Sequence, residues 1–273
     1  MTPKVLIVLT SFGDILDSTG KSVRQTGWYL PELAHPYEIL SGKAELVIAS
    51  PKGGVAPLDP NSLQPWVQDD ESSANFFNTK KAVWENTAKI LDFLGRADEF
   101  EAIFYPGGHG PMFDLAINQD SIALISEFWT KGKVVAAVCH GPAAFVNVKL
   151  PNSGEYILKG KNVSAFSSAE EYAMDMSKYM PFVLEDKINA DGAIYHKASE
   201  LWAATVQVSG NLITGQNPAS AKGVGEAIAK ALAAGIGTAW VDQLEGYPIE
   251  LEIFTTQFQS AMYCQIANVR RRL

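Results

Sequence analysis

The sequence predicts an α/β fold: a doubly wound, mostly parallel, flavodoxin-like sheet with helices on both faces. Three observations lead there. Short apolar runs rich in β-branched residues recur along the chain, longer stretches with helical periodicity separate them, and the early runs are continuously apolar rather than alternating. A strand that is apolar on both sides is buried on both sides, as in a parallel sheet covered by helices. Regular alternation of strand and helix then implies right-handed crossovers.

The elements follow in order. Val5–Leu9 reads as the first buried strand, and Gly27–Ser41 as the first helical pattern. Glu45–Ala49 is the second strand. Ser50–Asn78 is rich in Pro, Gly, Asn, Ser and Asp and carries Trp66, Phe76 and Phe77, so it is expected to be an ordered excursion near a site or an interface. Lys81–Leu94 has helical periodicity, Ala102–Tyr105 is a strand, and Gln119–Lys131 is a helix. Val134–Val138 is a strand with a helix start at Pro142–Val148, and Val163–Phe166 is another strand. Ala204–Val208 and Leu212–Thr214 are late strands, and Pro218–Ala234 closes the core as a helix. The expected division is a catalytic α/β domain over residues 1–235 and a C-terminal extension over 236–273. The extension's Leu251, Phe254, Phe258 and Met262 fall on one helical face, which suits packing on the core or an oligomer interface.

The bulk numbers narrow the function. The chain has 273 residues, 47% of them hydrophobic, enough for one large core. Its formal net charge of -8 repels phosphate backbones, so no nucleic-acid partner is expected. Arg270, Arg271 and Arg272 form a short basic end that reads as solvated. No apolar stretch is long enough to span a membrane, and none reads as a signal segment. The two cysteines, Cys139 and Cys264, make no disulfide framework, and a reducing cytoplasm is the expected setting.

The strongest chemical signal is KVVAAVCHGPAAFV. Cys139 and His140 follow a buried strand directly, and Gly141 and Pro142 then turn the chain into a helix start. Pro suits a first helical turn, where a missing N–H costs nothing. This is the strand–nucleophile–helix order of a nucleophile elbow, which sets the sulfur at the ligand-binding edge of the sheet and aims helix N-terminal N–H groups at it. Those groups favour the thiolate. The competing reading is a buried structural cysteine, which the position between strand and Pro-led helix makes the weaker one.

A second strand end reads Pro106-Gly107-Gly108-His109-Gly110-Pro111. Adjacent glycines leave backbone N–H groups free to approach a ligand, and Gly108 with the His140 N–H fits an oxyanion hole. His109 reads as a turn or pocket-wall residue rather than a base.

Together these segments resemble the DJ-1/PfpI superfamily, and within it the Hsp31-like, glutathione-independent glyoxalase (class III) branch. The matching pieces are KVLIVLTS, TGWYLPELAHPYEIL, FYPGGHGPMFDL, AAVCHGPAAF, SSAEEYAMDMSKYMPFVLEDKI and LITGQNPASAKGVGEAI, spanning about Lys4 to Leu232. The resemblance implies Cys139 as nucleophile, His140 as catalytic histidine and Glu32 as the acid beside the sulfur. It implies Glu170 as the acid orienting His140, with the adjacent Glu171 one register away. Gly107, His109, Tyr29 and Trp28 would line the substrate pocket. Outside the resemblance, Glu32 reads as an ordinary helix residue, and Glu170 and Glu171 as first-turn acids complementing a helix dipole.

Some bacterial relatives hold a metal with the histidine of the GGHG turn and a His–Glu pair near the first helix. Here Tyr29 stands where that histidine would be, and no two of the four histidines have ligand spacing, so no metal and no cofactor are expected. The reaction implied is conversion of methylglyoxal and related 2-oxoaldehydes to 2-hydroxy acids such as lactate through a Cys139 hemithioacetal, with Glu32 or His140 as the proton-shuttling base. The alternatives are a cysteine amidase or peptidase, a protein deglycase, and a stress-related chaperone of the Hsp31 type with unfolded proteins as clients. The resemblance and the apolar face of the extension also point to a homodimer. Cys139 is expected to oxidise before Cys264.

Overall fold

The computed structural model describes residues 2–64 and 70–235. Trp66, Cys264 and the expected helical face of the extension lie outside the described residues. The strands are β1 (Lys4–Val8), β2 (Asp14–Leu16), β3 (Ser22–Gln25), β4 (Glu45–Ser50), β5 (Ala88–Lys89), β6 (Ala102–Tyr105), β7 (Val134–Val138), β8 (Asn162–Val163), β9 (Ile194–Tyr195), β10 (Val206–Ser209) and β11 (Leu212–Gly215). The α-helices are α1 (Leu30–Ser41), α2 (Glu71–Thr79), α3 (Ala82–Glu85), α4 (Gln119–Thr130), α5 (Ser168–Ala173), α6 (Leu184–Ala190) and α7 (Ala221–Ala234).

The central sheet runs β10-β11-β7-β6-β1-β4-β5. All neighbours are parallel except the β10–β11 hairpin. The continuous apolar runs now have a physical account. Along β1, Val5 and Ile7 enter one hydrophobic cluster with Leu33 of α1 and Ile228 of α7, whereas Leu6 and Val8 enter another with Leu124 and Phe128 of α4. In β6 and β7, too, successive residues go to opposite clusters, so both faces are covered.

The doubly wound architecture is as expected, and the departures are local. Val163–Phe166 is not a strand of the main sheet: only Asn162–Val163 pairs, and with β9 alone. Lys81–Leu94 breaks into α3, the short β5 and a 3-10 turn at Ile90–Phe93, because Thr87 is drawn into paired backbone bonds with Gly54. The helix expected at Pro142–Val148 is a 3-10 turn over Gly141–Phe145. α1 starts at Leu30 rather than Gly27, with Pro31 in its first turn, since Trp28 is held in a bridge to Leu58.

The loop-rich excursion does pack near the site. α2 lies on α1, and Phe76 and Trp84 enclose Trp28, at 6.5 and 5.4 Å between ring centroids. Buried Asp59 accepts hydrogen bonds from the Thr26 hydroxyl and the Asn61 N–H. These contacts fix residues 26–29 against the start of α1.

Candidate active site

β7 and β6 end side by side, and the turns leaving them form the site. Cys139 has φ +60°, a left-handed conformation that a non-glycine residue adopts only under constraint. The constraint is visible on both sides: the Cys139 N–H donates to the Gly215 carbonyl at 2.9 Å, and its own carbonyl accepts from the Phe166 N–H at 2.9 Å. Gly141 follows because a Cβ there would stand 2.1 Å from the Tyr105 carbonyl oxygen. The elbow is therefore real, and Cys139 is only 4% exposed.

The glycine turn closes on it from β6. The Gly107 N–H donates to Glu32 Oε2 at 2.7 Å. A side chain at Gly107 would collide with the His140 N, the Val138 carbonyl and Glu32 Oε2, all within 2.8 Å, so Gly107 supports the site rather than lining a pocket. Gly108, at φ +84°, lies against the Gly27 carbonyl, where a Cβ would meet it at 2.2 Å. The Gly108 N–H is directed at the Cys139 sulfur, which it stabilises in the charged form.

Glu32 is fully buried in the first turn of α1, beside the sulfur. Burial pushes its carboxyl up to about 8, against the opposing bonds with Cys139 and Gly107. Burial therefore favours its neutral form at pH 7. Oε2 accepts from Gly107, and Oε1 is buried without a hydrogen-bond partner among the described residues.

His140 Nδ1 is 3.3 Å from the Cys139 sulfur, and its Nε2 is 2.6 Å from Glu171 Oε2. The acid against His140 is thus Glu171, not Glu170. Glu170 turns away to complete a capping box with Ser167, and its other oxygen accepts from the Trp202 N–H and the Asn217 amide. Burial opposes the charge on Glu171, but His140 and His109 outweigh it and hold this carboxylate well below its usual range. An ionised carboxylate only accepts, so His140 carries its proton on Nε2 and turns a bare Nδ1 towards the sulfur. Burial, then the neighbouring His109, lower His140 to about 4 against the pull of Glu171.

The expected resting thiolate would stand in surroundings that disfavour its charge. Burial pushes the Cys139 thiol well above its ordinary value, and ionising the adjacent Glu32 would push it further, with the Gly108 N–H working against both. The five-residue 3-10 turn after it supplies a smaller dipole than a full helix would. The geometry sets the sulfur between the Glu32 carboxyl and the His140 Nδ1, where burial favours the neutral forms of all three groups.

Trp28 also departs from expectation. It is wholly buried, its Nε1–H donates to the Ala56 carbonyl at 3.2 Å, and it belongs to the core rather than a pocket wall. Tyr29 is partly exposed and close enough for the charges of Cys139 and Glu32 to act on its hydroxyl. His109 is buried, with Nε2 2.9 Å from Glu171 Oε1. Sequence reasoning missed Arg24. Across the β2–β3 hairpin it pairs with buried Ile15, its Nε is buried without a hydrogen-bond partner among the described residues, and its charge reaches Tyr29 and His140. A small cavity lined by Phe166, Ser168, Tyr172 and Met180 gives onto Glu171.

His109, His140 and Glu171 bring three ligand-type atoms within 4.8 Å of one another. Both carboxylate oxygens are already at hydrogen-bond distance from an Nε2. Ligand atoms around a first-row metal with bonds of about 2.1 Å stand roughly 3.3 Å apart, so a metal there would have to open both pairs.

Comparison with known proteins adds to this geometry. The model of the DJ-1/PfpI family matches residues 91–231. Glyoxalase 3 of Candida albicans is 29% identical over 225 residues, covering 80% of this chain and 93% of that protein. Glutathione-independent glyoxalase HSP31 of Saccharomyces cerevisiae is 30% identical over 227 residues, covering 81% and 94%. The crystal structure of glyoxalase III from Candida albicans superposes with a TM-score of 0.74 at 30% identity, over 84% of this chain and 97% of that one.

Proposed function

The chain belongs to the DJ-1/PfpI family, and from that premise we propose that it is a glutathione-independent glyoxalase, a lyase that turns methylglyoxal and related 2-oxoaldehydes into 2-hydroxy acids such as lactate. The observation that carries the reading is the buried Cys139 thiol, with His140 Nδ1 at 3.3 Å and the Glu32 carboxyl beside it.

The chemistry balances without an outside reductant. His140 Nδ1 takes the thiol proton while the sulfur bonds to the aldehyde carbon, giving a hemithioacetal oxyanion. The Gly108 and His140 N–H groups stabilise that oxygen, and the neutral Glu32 carboxyl protonates it. The resulting carboxylate removes the hydrogen left on the former aldehyde carbon, and the electron pair moves to the adjacent ketone, whose oxygen takes the proton held by His140 to form an enediol. Return of the proton from Glu32 to the second carbon and loss of one from the first hydroxyl to His140 leaves a lactoyl thioester. Water opens it, releasing lactate and restoring the thiol with the proton held by His140. One carbon is oxidised and its neighbour reduced.

A compact elbow also suits this reading better than peptide cleavage. Cys139 is 4% exposed, and Phe166 packs 4.4 Å from the His140 ring, which favours a small carbonyl compound over a polypeptide. The test is lactate formation from methylglyoxal by purified protein without glutathione or nicotinamide. Wild-type protein should form it, and Cys139→Ala should fall by about 10³-fold or more. Wild-type protein that forms no lactate contradicts the proposal.

A further inference from the structure

Glu171 is shared. One oxygen is 2.6 Å from His140 Nε2, and the other is 2.9 Å from His109 Nε2. The two imidazoles pack at 4.3 Å between centroids with their planes tilted by 39°, and Phe166 packs at 4.4 Å from the His140 ring and 6.4 Å from that of His109. His109 is 4% exposed and held by the Gly108–Gly110 turn, so it cannot swing away without moving that turn. Proposed catalysis needs only one imidazole on this carboxylate, and the second has had no role.

We propose that His109 is a positioning residue: by donating to the second oxygen of Glu171 it fixes the carboxylate plane, and so keeps His140 protonated at Nε2 with Nδ1 aimed at the Cys139 sulfur. The inference rests on the proposed nucleophilic role of Cys139. A carboxylate bound through one oxygen can rotate about its side chain. Pinned through both, it presents a fixed acceptor to His140, and orientation of this kind sets the efficiency of the proton transfer. His109 has a second effect. Two imidazoles packed together on one carboxylate cannot both become cations cheaply, so His109 opposes protonation of His140. The groups facing His140 are Cys139, His109, Glu171 and, through its charge, Arg24 of β3.

The test compares His109→Gln, whose amide Nε2 can still donate to Glu171 but never carries charge, with His109→Asn and His109→Phe, which cannot make that bond. Two rates are read from about pH 5 to 9: methylglyoxal turnover, and alkylation of Cys139 by iodoacetamide followed on its own peptide by mass spectrometry. His109→Asn and His109→Phe should lower kcat and alkylation at neutral pH by about tenfold or more with little change in KM. His109→Gln should stay within about threefold of wild type, with the acidic limb of its alkylation profile moved to higher pH. Wild-type rates in both Asn and Phe variants would overturn the proposal, as would equal loss in the Gln, Asn and Phe variants. Should none of the proteins turn over methylglyoxal while the alkylation pattern holds, the glyoxalase reading fails and the role of His109 stands.

Discussion

Two neighbouring glutamates with opposite duties make the sharpest test at the residue scale. Glu171→Gln puts an amide where two imidazoles each donate, so one of them must change tautomer or lose its bond, and turnover should drop by about 10²- to 10⁴-fold with little change in melting temperature. Glu170→Gln should do the reverse. Its oxygens accept from Ser167, the Trp202 N–H and the Asn217 amide, and a buried donor turned towards another donor costs about 1–3 kcal/mol. Thermal melting should fall while activity per folded molecule stays near wild type. The sequence could not separate the pair, because Ser167-x-x-Glu170 and Ser168-x-x-Glu171 both spell a capping box. Only the hydrogen bonds decide which serine caps. Cys139, His140 and Glu32 were legible, the first two from their place after an apolar strand and the third from family resemblance alone. The pairing of His109 with Glu171 joins residues 62 apart and leaves no local trace.

The pH response also belongs to single residues. His140 stays an unprotonated base down to about 4, and Glu32 stays a neutral acid up to about 8. Turnover should therefore be flat between these limits, falling below about 4 as His140 gains a proton and above about 8 as Glu32 loses one. Glu32→Gln, which can neither give the proton nor become the carboxylate that takes the substrate hydrogen, should lose most of the turnover at every pH. A wild-type profile that rises steadily from pH 7 to beyond 9, as simple thiol ionisation gives at about 8.5, would count against the neutral-thiol geometry.

At the scale of elements, the site is where chain segments cross too closely for side chains. Gly108→Ala would force a Cβ to within 2.2 Å of the Gly27 carbonyl at φ +84°, separating the glycine turn from the segment that leads into α1. The expected result is a loss of about 1–3 kcal/mol in stability together with most of the activity, read by denaturant unfolding and turnover. The aromatic wall behind that segment acts more remotely. Trp84→Ala, in the cluster around Trp28, should cost about 3–5 kcal/mol. Elements with continuous apolar runs were readable because burial on both faces leaves no other pattern. The β2–β3 hairpin was not, since its strands of three and four residues are mostly exposed and carry no periodicity. Arg24 went unnoticed with it.

Across the whole molecule, titration of the site is linked to the stability of the fold. Glu32 has a raised value in the folded state, so its contribution to stability is complete below the ordinary 4.5 and is lost as pH rises through about 8. His140 is depressed, so its contribution is complete above the ordinary 6.5 and is lost as pH falls through about 4. The two slopes oppose one another between those ordinary values, which leaves Glu32 as the group that erodes stability on the alkaline side. The difference in melting temperature between Glu32→Gln and wild type should grow in favour of the variant from pH 6.5 to 8. Every described residue of the site lies within the first 235, and a chain ending at Gly235 is expected to keep both the fold and the reactivity of Cys139. Loss of either on truncation would give residues 236–273 a part in the domain itself.

The most direct test of the account is to catch the bond it requires. Glu171→Gln, slowed in turnover, is mixed with methylglyoxal, quenched in acid within the first turnovers, and its peptides are weighed. A substrate-derived adduct on the Cys139 peptide, absent once the aldehyde is exhausted and absent from a Cys139→Ala double variant, is the predicted result. Adducts confined to lysine and arginine, with lactate still forming when Cys139 is replaced, would contradict it.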